Sequence, residues 1–180
     1  MRLFLSIDID RSVLLKVEEI QKEIKQKVGF NWVPPENFHI TLKFLDAFKK
    51  DQVEGLKILL GSIKLPSFKL SLEKLELFPT VSEPKVFIYS LGGDSERLEE
   101  LHELIEKSCR TLGFAREKRK FHPHLTLARV KKLSEVKKVF SYLNKKCGLE
   151  FNVNSFCLMH STLTPEGAQY SLIKEFKLHE

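Results

Sequence analysis

Two short stretches of the chain share one polar pattern. They read His39-Ile40-Thr41-Leu42 and His124-Leu125-Thr126-Leu127, each a His-x-Thr-x tetrad. On a strand, residues i and i+2 project from the same face. His39 and Thr41 therefore point together, away from Ile40 and Leu42, and His124 and Thr126 point away from Leu125 and Leu127. Histidine, with an ordinary pKa of about 6.5, can either hold or accept a proton near neutrality. Two facing imidazoles suit in-line displacement at phosphorus. The neutral one takes a proton from attacking water, and the protonated one gives a proton to the departing oxygen. The threonine hydroxyls can donate to the non-bridging oxygens as negative charge builds there. Such chemistry needs no Ser or Cys nucleophile, and it implies no metal and no cofactor. One His-x-Thr is a weak signal, but two, both in apolar-alternating strands, are selective. The spacing leaves open which histidine is the acid.

Phe44 and Arg129 stand at the same offset, five residues after their histidines. A ring and a guanidinium on opposite walls of a cleft can sandwich a base. Strict alternation turns both away from the histidine face, so a substrate-binding role for either requires a strand end or a bulge nearby. His122 shares the parity of His124, but no carboxylate or thiol nearby completes a metal site. His102, His160 and His179 read as surface or satisfied residues, and Trp32 as packing. Arg116, Lys118, Arg119 and Lys120, together with Lys131-Lys132, could guide an RNA backbone.

The elements that must hold these residues follow from periodicity. Leu3, Leu5, Ile7 and Ile9 alternate with Phe4, Ser6 and Asp8, which predicts a first strand. Further strands are expected around both histidines, over 68–78 with a break at Pro79, over 86–91, over 151–159 and over 169–178, the last two joined by a turn at 165–167. Apolar steps of three and four predict helices over 13–28, 53–63, 98–112 and, briefly, 136–143. Asp10 or Ser12, Asp51 with Glu54, Asp94 or Ser95, and Ser134 are the expected caps, with Gly29 and Gly113 as left-handed stops. Pro34-Pro35 forces extended or turn backbone before the first tetrad. The tetrads lie nearly half the chain apart, in halves of similar order. The expectation is therefore α+β: a bilobal, pseudo-symmetric duplication with two antiparallel sheets flanking a central cleft and helices outside, forming a single domain over residues 1–180.

Composition agrees. The 180 residues are 42% hydrophobic, with 14 Phe, enough for a sizeable core. A net charge of +6 favours anionic partners. Cys109, Cys147 and Cys157 show no pairing pattern, and Cys109 and Cys157 read as core residues of a reducing compartment. No apolar run is long enough to span a membrane, so a cytoplasmic protein is expected, with no membrane partner.

The stretch Trp32-Val33-Pro34-Pro35-Glu36-Asn37-Phe38-His39-Ile40-Thr41-Leu42-Lys43-Phe44-Leu45, with Phe121-His122-Pro123-His124-Leu125-Thr126-Leu127-Ala128-Arg129, resembles the 2H phosphoesterase superfamily. Within it the chain is similar to the RNA 2′,3′-cyclic phosphodiesterase group, historically called 2′-5′ RNA ligases. The one departure is Asp46, where the family often has Gly. The resemblance implies metal-free hydrolysis of a terminal 2′,3′-cyclic phosphate on RNA to a 2′-phosphomonoester. It implies His39 as proton donor to the 3′-oxygen and His124 as the acceptor that activates water. Ligation of tRNA halves and a non-catalytic RNA-binding module remain as alternatives, and a monomer is expected.

Overall fold

The structure is a computed structural model that describes residues 2–45, 50–165 and 167–179. Asp46 lies outside these residues. The strands are β1 (Arg2–Ile7), β2 (Asn31–Trp32), β3 (Ile40–Leu45), β4 (Phe68–Phe78), β5 (Val86–Gly93), β6 (His124–Arg129), β7 (Lys146–Val153), β8 (Ser155–Thr164) and β9 (Gly167–Lys177). The helices are α1 (Arg11–Lys25), α2 (Val53–Gly61) and α3 (Ser95–Thr111). The α+β class is as expected. Among the described residues the strands form one sheet, ordered β7-β4-β5-β6-β3-β1-β8-β9, with β2 beside β6. The two expected sheets are its halves, β7-β4-β5-β6 and β3-β1-β8-β9. They meet at a seam where β3 and β6 share one pair, Ile40 with Leu125, both fully buried.

The halves are built alike: β1-α1-β3 in one and β5-α3-β6 in the other. Apolar residues such as Leu3, Leu5 and Ile7 of β1, Ile40 and Leu42 of β3, and Leu125 and Leu127 of β6 are buried. The helices dock crosswise. Gln21 of α1 donates from Nε2 to the Leu127 carbonyl of β6 (3.2 Å) and to the Val33 carbonyl (2.8 Å). His102 of α3 donates from Nδ1 to the Leu42 carbonyl of β3 (3.1 Å), and Glu106 of α3 pairs with Lys43 of β3 (2.5 Å). Each helix thus grips the half that its own strands do not form.

A β-bulge in each tetrad strand, β3 and β6, breaks its alternation. Leu5 and Ser6 pair with Lys43 and Thr41, leaving Leu42 as the extra residue on β3. Phe87 and Ile88 pair with Ala128 and Thr126, leaving Leu127 as the extra residue on β6. Both lie three residues after their histidine. After a bulge the parity of the strand reverses. Lys43 and Ala128 are accordingly buried, and Phe44 and Arg129 are exposed. The inward turn of Lys43 explains its buried ion pair with Glu106, which has no counterpart at Ala128.

Several expectations are corrected. α1 ends at Lys25, with Gln26 as its right-handed C-cap. Gly29 has no positive φ, and its N–H donates to Glu135 (3.0 Å). Val28 continues the helical spacing because it packs on the core from the turn toward β2. Gly113 is a left-handed stop, with φ 86°. Asp51 lies in a 3-10 turn, Lys50–Gln52, and Gln52 holds the cap position of α2. Asp94 holds the cap position of α3, but its carboxylate accepts the Lys69 N–H (3.0 Å). The fourth helix is a 3-10 segment, Leu133–Val139, preceded by Lys132 and not capped by Ser134. The run over 151–159 is two strands, because Asn154 turns the chain between β7 and β8. Cys109 and Cys157 are buried, and burial pushes their thiols up to about 11 and about 12. No described helix is long and apolar enough to cross a membrane.

Breaking a buried ion pair from one side leaves an unpaired charge and costs about 3–5 kcal/mol, whereas replacing both partners with apolar residues is often neutral. Lys43→Met alone and Glu106→Leu alone should therefore each lower unfolding free energy in urea by about 3 kcal/mol or more, and the double variant should recover most of the loss. Single losses below about 1 kcal/mol would show that the pair does not hold α3 on β3.

Candidate active site

The seam pair sets the register of the tetrads. One residue to either side of Ile40–Leu125, an antiparallel ladder places His39 across from Thr126 and Thr41 across from His124. Residues that face each other across antiparallel strands point to the same side of the sheet, so all four polar side chains share the side opposite the buried residues. His39 and His124 are diagonal neighbours. Cβ atoms so related lie about 7–8 Å apart or slightly less, a span that admits a phosphate between the rings.

Each imidazole is fixed the same way. His39 Nδ1 bonds the Asn37 carbonyl (2.7 Å), and His124 Nδ1 bonds the His122 carbonyl (2.7 Å). A carbonyl only accepts, so both Nδ1 atoms carry hydrogen and both Nε2 atoms are left for proton transfer. His39 Nε2 also meets Thr41 Oγ1 (3.1 Å). Among the described residues Thr126 makes no such bond to His124.

Both histidines titrate below the ordinary value. Burial is the largest cause for His39; the Asn37 carbonyl and the Asp8 carboxylate oppose it, and His124 adds to it. Burial also dominates at His124, where the His122 carbonyl opposes it and the His122 ring adds to it. The two sites therefore differ in their neighbours, with an anion near His39 and a second imidazole beside His124.

Aromatic rings line the face. Phe4 lies 4.9 Å from His39 and 4.8 Å from Tyr170 between ring centroids, and Tyr170 meets His39 edge-on at 5.3 Å. His122, exposed, stacks on Phe78 at 4.4 Å. His102 stacks on Phe121 at 3.9 Å, so its place is structural and beside the cleft rather than on the open surface. A cavity of about 250 Å³ opens beside Thr41 and His124, lined also by Phe44, Phe78, Phe121 and Lys120.

Phe44, 66% exposed, reaches this cavity, because the bulge at Leu42 turns it to the histidine face. Arg129 gains the same parity from the bulge at Leu127. The register sets them at opposite ends of the four-residue platform: Phe44 beside Phe4, and Arg129 between Asn31 and Val86. Trp32 packs on Phe30 and Phe87, as read from the sequence. In the basic stretch, Arg116 pairs with Glu103 and Arg119 with Glu117, which leaves Lys118 and Lys120 as its less committed cations. Among the described residues, His, Cys, Asp and Glu form no group of three or more placed to hold an ion.

Phe4, Phe78, Tyr170 and Gln21 are among the residues at or behind the site that sequence reasoning missed. Phe4 carried a readable signal: it shares the parity of Ser6 and Asp8, which sets a large aromatic on the polar face of β1.

A curled antiparallel sheet with two inward imidazoles, each held by a backbone carbonyl, defines a class of paired-histidine sites suited to acid–base chemistry. The family described as LigT like Phosphoesterase matches residues 7–89 and 92–170, and the chain belongs to it, within the 2H phosphoesterases. A protein of Archaeoglobus fulgidus named RNA 2′,3′-cyclic phosphodiesterase is 34% identical over 178 residues, covering 98% of this chain and 100% of its own. One of the same name from Methanocaldococcus jannaschii is 34% identical over 179 residues, covering 98% and 100%. Among solved structures, TT0787 of Thermus thermophilus has a TM-score of 0.84 at 25% identity, covering 98% of this chain and 97% of its own. The apo LigT of E. coli shares the fold with a TM-score of 0.79 at 22% identity, covering 99% and 98%.

Lowered histidine values mean that the unfolded chain binds protons first as pH falls. Stability conferred by neutral His39 and His124 is therefore present above about pH 6.5 and is lost as pH drops below it. The imidazole Cε1–H signals of both residues should titrate at lower pH than a model histidine in NMR. Midpoints above that of a free histidine would contradict the burial described here.

Proposed function

We propose that this chain hydrolyses the terminal 2′,3′-cyclic phosphate of RNA to a 2′-phosphomonoester, with His39 as general acid and His124 as general base. The observation that carries the proposal is the seam register, which sets two imidazoles diagonally on one face with both Nε2 atoms free of the backbone. The names of the relatives supply the substrate class. Burial lowers both rings most, but Asp8 opposes that at His39 while the His122 ring adds to it at His124, and this contrast supports the division of roles.

In this reading His124 Nε2 takes a proton from water, and the resulting hydroxide attacks phosphorus in line with the 3′-oxygen. The P–O3′ bond breaks, and His39 Nε2 delivers its proton to that oxygen. Thr41 and Thr126 donate to the non-bridging oxygens as charge builds there. Imidazoles handle every proton, so the steps need no metal ion. Arg129 and Phe44 contact different parts of the RNA on either side of the phosphate. Each half supplies one tetrad, so the chain works as a single catalytic domain, and as a monomer in the cytoplasm.

The cavity beside His124 favours a second reading. It lies on the side from which the nucleophile enters and is roomier than a water needs. A 5′-hydroxyl of another RNA, such as a tRNA half, could replace water there and form a 2′,5′ linkage.

Loss of a positioned acid or base should cost roughly a hundred- to ten-thousand-fold in turnover. His39→Ala and His124→Ala should each show that loss on an oligonucleotide ending in a 2′,3′-cyclic phosphate, while circular dichroism shows an intact fold. Wild-type activity should persist in EDTA and yield 2′-phosphate. Full activity in either variant, or a 3′-phosphate product, would overturn the assignment. A joined product from RNA halves bearing 5′-hydroxyl ends would establish the second reading.

A further inference from the structure

The bulges at Leu42 and Leu127 decide which way Phe44 and Arg129 point, and each bulge is met from below by one helix. A bulged residue drops out of the regular pairing, which opens its carbonyl to a further donor. Leu42 receives the Nδ1 hydrogen of His102 (3.1 Å). Leu127 receives Nε2 of Gln21 (3.2 Å) as well as the Val33 N–H (2.9 Å). Gln21 is 4% exposed, an uncommon depth for a glutamine, and both of its observed bonds go to main-chain carbonyls, one of them Leu127 of the other half. His102 leaves its ring stacked on Phe121 while its nitrogen serves the bulge. One turn further along α3, Glu106 holds Lys43, the residue after the bulge.

We propose that Gln21 and His102 are positioning residues that lock the two bulges and so hold Arg129 and Phe44 on the histidine face for substrate binding. Neither touches the reacting atoms. Each acts through one defined side chain: Gln21 through Arg129, and His102 through Phe44. The inference rests on the proposed cyclic phosphodiesterase activity for its kinetic readout, but binding of a product nucleotide reads it independently. A helix that merely packed on the sheet would require apolar contact at these points, whereas each helix here aims a polar donor at the carbonyl of a bulged residue.

The test is a pair of double-mutant cycles. Gln21→Leu keeps the bulk and removes the donor, and His102→Phe keeps the ring stack and removes the Nδ1 hydrogen. Each should raise KM for an oligonucleotide 2′,3′-cyclic phosphate by roughly fivefold to tenfold, the loss expected for one hydrogen bond, with a smaller change in kcat. Residues that act through one another are non-additive. Gln21→Leu should therefore have little further effect in an Arg129→Ala background, and His102→Phe little in a Phe44→Ala background, while the crossed combinations add. His102→Gln, which keeps a donor, should restore part of the loss. Calorimetric Kd values for adenosine 2′-monophosphate should follow the same pattern. Full additivity in the matched pairs, or unchanged KM and Kd in Arg129→Ala and Phe44→Ala, would overturn the proposal. If the wild type binds the nucleotide with the expected coupling yet hydrolyses nothing, the clamps stand and the proposed activity falls.

Discussion

The arrangement depends on a seam that the sheet itself barely closes. His39 and His124 come together only because β3 and β6 lie side by side, yet those strands share the single pair Ile40–Leu125. One ladder rung cannot fix two rigid halves, since a net backbone hydrogen bond contributes only about 1 kcal/mol. The remaining constraint comes from helices that cross over. α1 leaves the half built on β1 and grips β6, while α3 leaves the half built on β5 and grips β3. A hinge at the seam would have to break both grips, including the buried Lys43–Glu106 pair. The span between the imidazoles is thus set by helix docking as much as by strand pairing.

That same packing sets the chemistry available. Drawing the rings into the sheet face strips them of water and lowers their proton affinity. A free imidazole so treated would also lose its orientation, and here the chain two residues upstream supplies it. Asn37 and His122 place their carbonyls against Nδ1 at the same distance, 2.7 Å, so the tautomer is written into the backbone. The 3-10 turn Pro35–Asn37 serves the first tetrad in this way, and the His122-Pro123 step before β6 serves the second.

How much of this was readable follows from what each feature asks of the residues. Strand alternation marked His39, Thr41, His124 and Thr126 because a polar pair among apolar neighbours is a departure from pattern. Helix faces were legible for the same reason, and Gly113 was legible because only glycine takes its φ cheaply. The bulges were not, since Leu42 and Leu127 are residues any strand would carry. Their trace was indirect: Phe44 and Arg129 could face the site only if alternation failed, and it fails at the same offset in both halves. The caps misled because Asp10, Asp94 and Asp51 have the right side chains for capping but two of them bond elsewhere: Asp94 to Lys69 of β4, and Asp10 to Asn152 of β7. Tertiary partners outbid local ones, and a sequence shows only the local ones.

The halves share a plan but differ wherever the plan meets the site. Lys43 corresponds to Ala128, Phe44 to Arg129, and His102 to Gln21. Asp8 favours the proton on His39, while His122 disfavours it on His124. Two identical imidazoles in identical settings would share one pKa. The state with one protonated and one neutral would then be split equally between two orientations, and only one of them can serve a given substrate pose. Here the settings are not identical, with an anion near one ring and the His122 imidazole by the other. On the proposed reading, the duplicated scaffold supplies the geometry of displacement, and the differences between its copies supply its direction.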